Sequence, residues 1–301
     1  MNSEAKAILL IDMDSFFASC HAATDESLKK VPAIVASPNM RGIASTANYP
    51  AREFGIKSGM PIFKIKELCP NIKIIPPDFK LYVETSDAIL KYVYDNFSKK
   101  IESVSIDEFY VDVTNVWKKY GSVKKIADTI REGVYKKFNL TCSIGVSTNR
   151  FLAKMGSEIN KPNGTCVLLP EHVEEKIWNF PVSKMFGIGR ATEKILNENN
   201  IFTIGDVAKS ELNTLTKLLG KRGLTLHQWA NGIASDEIKI KLDDSKSISN
   251  EMTLTTSTVD LNEIENFYYE LCKLVTYRLQ KNFLQAKVIS IQFKYETRYE
   301  I

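Results

Sequence analysis

The sequence has few of the residues that build disulfide scaffolds or soft-metal sites. Its 301 residues include five cysteines, an odd number without a CxxC pair, and three scattered histidines. A disulfide framework, a structural zinc site and histidine-based metal chemistry are therefore not expected, and we predict free thiols in a reducing cytoplasm. The longest early apolar run covers only residues 7–11, so neither a membrane helix nor a signal peptide is expected.

What is present is the composition of an ordinary globular protein. Hydrophobic residues make up 44% and charged residues 25% of the chain, and the length predicts two or more domains. The formal net charge of +4 permits a nucleic-acid partner without requiring one. The charge is uneven, because 31 basic and 25 acidic side chains precede residue 233 whereas 9 basic and 11 acidic follow. The excess positive charge therefore belongs to the first part of the chain.

Hydrophobic periodicity predicts an α+β chain. After a first strand and a long insertion, the order is helix, strand, strand, helix, strand, which is the ferredoxin-like β-α-β-β-α-β pattern with an insertion after its first strand. The predicted strands of this pattern are residues 7–11, 102–106, 109–113 and 141–146, and its helices are residues 89–97 and 123–138. Other predicted elements are strands at 31–37, 165–169, 249–256 and 287–295 and helices at 61–68, 151–159 and 264–281, with short helices across 171–233.

Three carboxylates form the first candidate site. Asp12 ends the first predicted strand, and Asp107 and Glu108 lie between two later strands. If those strands are neighbours, the carboxylates meet in one cleft and repel each other unless a cation is present. Oxygen ligands without histidine or cysteine favour Mg²⁺ or Mn²⁺. Solvated acidic residues at strand ends are the alternative, and adjacent strand residues share a site only at a turn or bulge.

Two further segments have residue types that suit a polyphosphate. Ser45–Arg52 combines hydroxyl groups, a phenol and a guanidinium on a loop that leads into a helix. Lys161–Gly164 is a Lys-Pro-Asn-Gly turn that follows a helix. A capped helix with a surface arginine and a lysine at a helix C-terminus are the alternatives.

A glycine turn and an aromatic pair complete the set of candidates. Gly187-Ile-Gly189 precedes a helical segment, so its backbone N–H groups suit a phosphate, as in a helix-hairpin-helix; a tight turn between helices is the alternative. Phe16-Phe17 follows the first acidic residue and could lie beside a sugar and reject a 2′-hydroxyl. A pair of core aromatic residues is the alternative.

Taken in order, these motifs resemble the Y-family translesion DNA polymerases, and most closely the bacterial DNA polymerase IV (DinB-type) branch. The resemblance extends from about residue 7 to the end of the chain. The motifs that carry it are Asp12–Ala18, Ser45–Arg52, Ser105–Glu108, Lys161–Gly164 and Gly187–Gly189. Five motifs in the order and spacing of one family make coincidence a poor explanation.

The resemblance implies four parts, one of which is a ferredoxin-like palm, and a linker before the last part. They are a palm of residues 1–17 and 81–170, fingers of 18–80, a helical thumb of 171–238 with the helix-hairpin-helix, a linker of 239–246 and a little finger of 247–301. A little finger of this family normally has four strands and two helices, so we expect an incomplete one here. The clamp-binding segment usual at the C-terminus is also absent, so a sliding clamp is expected only for a full-length form.

The resemblance also implies roles for the candidate residues. Asp12, Asp107 and Glu108, with the backbone carbonyl of Met13, would bind two Mg²⁺ ions, for which Mn²⁺ could substitute. Asp14 matches the motif but is expected to have a structural role. The residues expected to contact the nucleotide are Phe16, Phe17 as the steric gate against ribonucleotides, Thr46, Tyr49, Arg52 and Lys161. Gly187 and Gly189 would hold the DNA backbone.

The activity implied is template-directed DNA synthesis with primer-template DNA and dNTP, by a cytoplasmic monomer without a membrane partner, in DNA damage tolerance and repair. The primer 3′-hydroxyl would attack the α-phosphorus and pyrophosphate would leave. Gly42, Ala44 and Ser45 would line the base pair loosely and allow damaged templates. Two alternatives stay open: a non-catalytic DNA-binding remnant, and a nucleotidyl cyclase on the same palm, although cyclases usually have Gly-Gly where this chain has Ser105-Ile106.

Overall fold

The computed structural model describes residues 6–37, 42–240, 246–254 and 256–293. The strands are β1 Ile8–Met13, β2 Ala33–Val35, β3 Thr46–Ala47, β4 Lys73–Ile75, β5 Ile101–Ser103, β6 Glu108–Asp112, β7 Cys142–Ser147 and β8 Thr165–Val167. The helices are α1 Phe16–Thr24, α2 Tyr49–Glu53, α3 Ile62–Leu68, α4 Phe79–Asn96, α5 Val123–Phe138, α6 Arg150–Ile159, α7 Val173–Lys176, α8 Arg190–Glu198, α9 Ile204–Lys209, α10 Leu212–Leu219, α11 Lys221–Ala230 and α12 Leu261–Lys281.

The central sheet has the strand order β5-β6-β1-β7-β8. β1 is antiparallel to both β6 and β7, and β6 is antiparallel to β5, which is the arrangement of a β-α-β-β-α-β unit. β8 extends the sheet in parallel to β7 after α6. The predicted ferredoxin-like α+β fold is therefore confirmed.

The two faces of β1 are covered by different helices, because successive side chains of a strand point to opposite sides. Leu9 and Ile11 belong to the core that α4 and α5 complete. Ile8 and Leu10 face the other way and pack with Tyr110 of β6 and Ala153 of α6. Asp12 continues the series of Ile8 and Leu10, so its carboxylate lies on the side of α6.

The insertion between β1 and α4 has its own small sheet, with the order β3-β2-β4. Its apolar core includes Ile34, Ala47, Ile62 and Ile65, which are all fully buried. Asn48 follows β3 and caps α2 with its side chain, which accepts a hydrogen bond from the N–H of Ala51. This cap fixes the direction in which α2 leaves the sheet.

Short helices α7 to α11 form a separate layer around a second apolar core. Its buried residues include Ile177, Leu196, Ile204, Leu215 and Leu226. The segment that follows returns to the palm sheet, where Ile238 packs on the side of α6. The helical character predicted for residues 171–233 is confirmed.

Two predicted strands near the end of the chain are wrong. Residues 249–254, 256 and 287–293 have no strand structure, while 255, 294 and 295 lie outside the described residues. The predicted helix is present as α12, but none of its residues is buried. Alternation marks the faces of a strand, but a strand also needs a neighbour with which to pair, and these segments have none within the described part of the chain. No helix in the described ranges is long and apolar enough to cross a membrane.

Candidate active site

Two of the predicted carboxylates are brought together by the register of the sheet. Asp12 of β1 lies directly opposite Glu108 of β6. Residues opposite each other in an antiparallel pair project to the same side, with Cβ atoms about 5 Å apart. Asp12 is nearly buried, with 4% of its surface exposed, and Glu108 is half-buried. Sequence spacing could suggest this pairing, but only the register establishes it.

Asp107 lies on the turn that precedes β6. Adjacent residues within a strand project to opposite faces, so this position on a turn is what allows Asp107 and Glu108 to share a site. Its backbone carbonyl accepts a hydrogen bond from the N–H of Met13 at 2.9 Å, which joins the turn to the end of β1. Its carboxylate accepts a hydrogen bond from the Ser105 hydroxyl at 2.6 Å. Asp107 is therefore adjacent to the other two acids, with its side chain paired to its own turn.

Two lysines neutralise the opposed carboxylates. Lys154 Nζ lies 2.8 Å from Asp12 Oδ2 and 2.5 Å from Glu108 Oε1, and Lys161 Nζ lies 2.8 Å from Asp12 Oδ1. Burial alone would raise the pKa of Asp12, but the two ammonium groups outweigh it, so this pKa lies below its usual value. Burial raises the pKa of Glu108, although Lys154 opposes the shift.

The acidic residues fit a hard divalent cation in type and position. Asp12 and Glu108 present carboxylate oxygens to a shared cation, which here is the Lys154 ammonium. Among the described residues, no three acidic, histidine or cysteine side chains already stand in a ligand geometry, because Asp107 is turned towards Ser105. The donor types are all oxygen, with Asp12 and Glu108 together and Asp107 on the adjoining turn.

The carboxylates open into a cleft of about 300 Å³ between the palm sheet and the insertion. It is lined by Asp12, Met13, Ser15, Phe16, Phe17, Ser45, Thr46, Tyr49, Arg52, Ser58, Ile106, Asp107, Glu108, Glu158 and Lys161. Every residue predicted to bind metal or nucleotide is in this set. The insertion thus supplies hydroxyl and guanidinium groups opposite the acids of the palm.

The predicted phosphate-binding side chains of the insertion lie on a strand and on the short helix that follows it. Thr46 lies on β3, and Tyr49 and Arg52 lie on α2. The Arg52 guanidinium is 4.7 Å from the centre of the Tyr49 ring, and its Nε donates to the Ala47 carbonyl at 3.0 Å. Burial and the nearby Asp14 carboxylate raise the pKa of Tyr49, so its hydroxyl stays protonated and able to donate.

Asp14 connects three parts of the cleft. Its carboxylate accepts hydrogen bonds from the Ser143 hydroxyl of β7 and from the N–H of Asn163, both at 2.8 Å, and lies 3.4 Å from the Tyr49 hydroxyl. Asn163 belongs to the turn that begins with Lys161, and only 1% of the Asp14 surface is exposed. The structural role expected for Asp14 is therefore to hold the turn that begins with Lys161 against β1.

The Phe17 ring is held in place by other aromatic rings. It stacks on Tyr82 with ring centres 4.2 Å apart and planes 15° apart, and Phe79 meets it edge-on at 6.3 Å. Phe16 is buried in the core and also reaches the lining of the cleft, whereas Phe17 is half-buried, packs against the same core and borders the cleft. Both rings thus contact the core and the cleft, and the steric-gate role of Phe17 stays a prediction.

Gly187 and Gly189 lie outside this cleft, in the helical layer. Gly187 has φ of +92° and its carbonyl accepts from Arg222 at 2.6 Å. Gly189 is the residue before α8, which has no side-chain cap at its start. An uncapped helix start of this kind suits an anion, and the contact of this turn with the DNA backbone stays a prediction.

Sequence reasoning missed Lys154 and Glu158. Both lie on α6, where Glu158 Oε1 accepts from Lys154 at 3.1 Å and from Lys161 at 2.9 Å. Their spacing of four residues places them on one helix face, which is the signal that was available. Such a pair is usual on solvated helices, and only the position of α6 over β1 directs this one into the cleft.

Comparison with known proteins agrees with this geometry. The profile of the impB/mucB/samB family matches residues 11–158, the HHH motif of the same family matches 170–201, and its C-terminal domain matches 245–300. DNA polymerase IV of Bacillus anthracis is 37% identical over 298 residues, which are 98% of this chain and 72% of the relative.

Solved structures are similar in fold as well. A Y-family DNA polymerase chimera, Dbh-Dpo4(243-245)-Dbh, has a TM-score of 0.79 at 28% identity, covering 90% of this chain and 80% of its own. An insertion ternary complex of Dbh DNA polymerase has a TM-score of 0.70 at 30% identity, and the match covers 77% of this chain and 69% of the Dbh chain. The chain belongs to the impB/mucB/samB family of Y-family polymerases, and it is a DNA-directed DNA polymerase of the translesion type.

Proposed function

We propose that the cleft between palm and insertion performs nucleotidyl transfer from dNTP to a primer 3′ end. The strongest support is that two opposed acids, Asp12 and Glu108, share one cleft with basic side chains of the kind that bind phosphate, Arg52 and Lys161. The primer 3′-hydroxyl attacks the α-phosphorus of the dNTP in line, the new phosphodiester bond forms, and pyrophosphate leaves. The chain itself forms no covalent intermediate, so its contribution is position and charge.

Two Mg²⁺ ions are the proposed cofactors, and Mn²⁺ can replace them. Asp12, Asp107 and Glu108, with the backbone carbonyl of Met13, would hold them. When bound, such a pair neutralises the charge on the attacking and leaving oxygens. Divalent ions suit the site because Asp12 and Glu108 already surround a cationic ammonium group. The Asp107 carboxylate would leave Ser105 to join them.

The triphosphate would lie along the insertion side of the cleft. Arg52 and Lys161 supply positive charge, and Thr46 and Tyr49 supply hydroxyl donors, all from the lining of the same cleft. Phe17 would face the sugar, and its stacked ring would reject a 2′-hydroxyl. The thumb turn with Gly187 and Gly189 would hold the DNA backbone through N–H groups, without reading sequence.

We assign the parts of the chain as a palm, a fingers insertion, a thumb, a linker and a little finger. The palm is 1–17 and 81–170, the fingers 18–80, the thumb 171–238, the linker 239–246 and the little finger 247–301. Small residues beside the base pair, such as Ala44 and Ser45, leave room for a damaged template. Primer-template DNA and dNTP are the proposed ligands of a cytoplasmic monomer, and a sliding clamp is a partner of a full-length form.

Primer extension tests this proposal. The purified protein with Mg²⁺ is expected to add dNTPs, one template-directed nucleotide at a time, to a primed template and across a lesion in that template. DNA binding without extension would point to a non-catalytic remnant. A cyclic product from NTP alone, without extension, would point to a cyclase.

A further inference from the structure

Lys154 occupies the place between the catalytic acids that a cation must enter. Its Nζ contacts both Asp12 and Glu108, and 13% of its side chain is exposed. The lysine reaches this point from α6, which packs across the end of β1 on the side to which Asp12 projects. The ammonium group is thus an internal counter-ion for two acids that the sheet register forces together.

The charges around these acids explain why such a counter-ion is needed. Asp12 and Glu108 would repel each other in a partly buried site, because the nearly buried Asp12 is largely removed from the screening of bulk solvent. Burial would lower the pKa of Lys154, but Asp12 and Glu108 raise it, so the lysine stays charged. In the absence of a divalent ion, Lys154 therefore holds the two acids in register.

A second partner for Lys154 is already present. Glu158, one helical turn further along α6, lies 3.1 Å from the Lys154 ammonium and 2.9 Å from that of Lys161. Its side chain is 49% exposed, so it can receive a lysine without a new desolvation cost. The lysine can thus leave the acids without becoming unpaired.

We propose that Lys154 is an exchangeable counter-cation, which occupies the acids until a divalent ion displaces it towards Glu158. This inference rests on the proposed metal site. It makes Lys154 a positioning residue that sets the affinity of the site for the ion, and it gives Glu158 the role of receiving the displaced ammonium. The exchange breaks and forms ion pairs only, and no proton is transferred.

Mn²⁺ titration tests the exchange. Mn²⁺ is added to the full chain without DNA or nucleotide, and electron paramagnetic resonance measures the ion that stays free. Lys154→Met removes the competitor and keeps the length of the side chain, so Mn²⁺ should bind about tenfold more tightly. Glu158→Gln removes the receiving group, so Mn²⁺ should bind about threefold more weakly. Lys91→Met is the matched control, because Lys91 pairs with Asp95 four residues along an exposed helix face.

Thermal unfolding in a chelator provides a second readout. Lys154→Met should lower the melting temperature more than Lys91→Met does, and Mg²⁺ should restore more of the loss in the first variant than in the second. Equal Mn²⁺ affinity in Lys154→Met and in the unaltered chain would overturn the inference. A tighter or unchanged Mn²⁺ affinity in Glu158→Gln would overturn it as well. The Glu158→Gln variant keeps the test valid if Lys154→Met does not fold. Unchanged Mn²⁺ binding in Asp12→Asn and Asp107→Asn would instead contradict the proposed metal site.

Discussion

The palm and the thumb both carry residues that we propose to contact phosphate, and they differ in the chemical groups that they present. In the palm, charge is placed against charge: Asp12 and Glu108 are opposed in the sheet and held by Lys154. In the thumb, the turn at Gly187 offers the backbone itself, beside an uncapped helix start. The palm therefore depends on the identity of charged side chains, whereas the thumb turn depends on backbone shape.

Substitutions in the palm and in the thumb should therefore have different effects. A neutral, isosteric substitution in the palm should preserve the fold and remove chemistry, because the acids and lysines act through their charge. The same kind of change on the thumb should matter little, whereas one added methyl group at the turn should weaken DNA binding.

Asp107→Asn should have the largest effect. The amide keeps the hydrogen bond that Ser105 donates, but it lacks the charge that a divalent ion requires, so kcat for single-nucleotide addition should fall about 10³-fold. DNA affinity should stay unchanged, because Asp107 lies in the palm turn. Asp95→Asn, an exposed acid on α4, is the control. A variant with more than a tenth of the original kcat would contradict the role of Asp107.

Phe17→Ala should have the next largest effect. The stacked ring is the wall expected to exclude a 2′-hydroxyl, and its loss should reduce the preference for dNTP over rNTP about 10²-fold. The ratio of kcat/KM values for the two nucleotides measures it. Phe79→Ala is the matched control, since Phe79 touches the same ring edge-on but is 64% exposed. Equal ratios in both variants would show that Phe17 is not the gate.

Hydrophobic patterns in the sequence predict the palm, but they do not predict every strand or the orientation of every side chain. The continuous apolar run of β1 predicts a buried strand, and the apolar stripes of α4 and α5 predict helices with one buried face, which together are sufficient for the palm. The strands predicted at 249–256 and 287–295 failed, because alternation says nothing about a pairing partner. The motif at 105–108 located Asp107, but not the turn of its side chain towards Ser105, which depends on a local hydrogen bond.

Lys154 marks the limit of sequence reasoning in the site. A lysine four residues before a glutamate is the ordinary pattern of a solvated helix. Its meaning changes only because β1 and β6 pair with Asp12 opposite Glu108 and α6 crosses above them. The residues predicted for the cleft came from local motifs, whereas this one comes from long-range topology.

Asp14→Asn should act on substrate binding more than on chemistry. The amide has one acceptor oxygen where the carboxylate uses two, and it lacks the negative charge that strengthens the bond from the Asn163 N–H, so the change should cost about 1–3 kcal/mol and loosen the turn that carries Lys161. The KM for dNTP should rise about tenfold while kcat changes less, together with a lower melting temperature. Ser143→Ala removes one bond to the same carboxylate and should have a smaller effect. A fall in kcat at constant KM would contradict this positioning role.

Gly187→Ala should have the smallest effect, and it tests the thumb alone. An alanine at φ of +92° is strained, and its Cβ would lie 2.6 Å from the Arg222 guanidinium and 3.0 Å from the Trp229 ring, so the turn must shift. We expect the Kd for primer-template DNA to rise about fivefold, equivalent to about 1 kcal/mol, with kcat at saturating DNA unchanged. Gly121→Ala is the control, because Gly121 has φ of +87° but no atom within 4 Å of the added Cβ and lies in the palm. Fluorescence anisotropy of labelled DNA measures both, and an equal Kd in the two variants would mean that the shape of the thumb turn does not hold the DNA backbone.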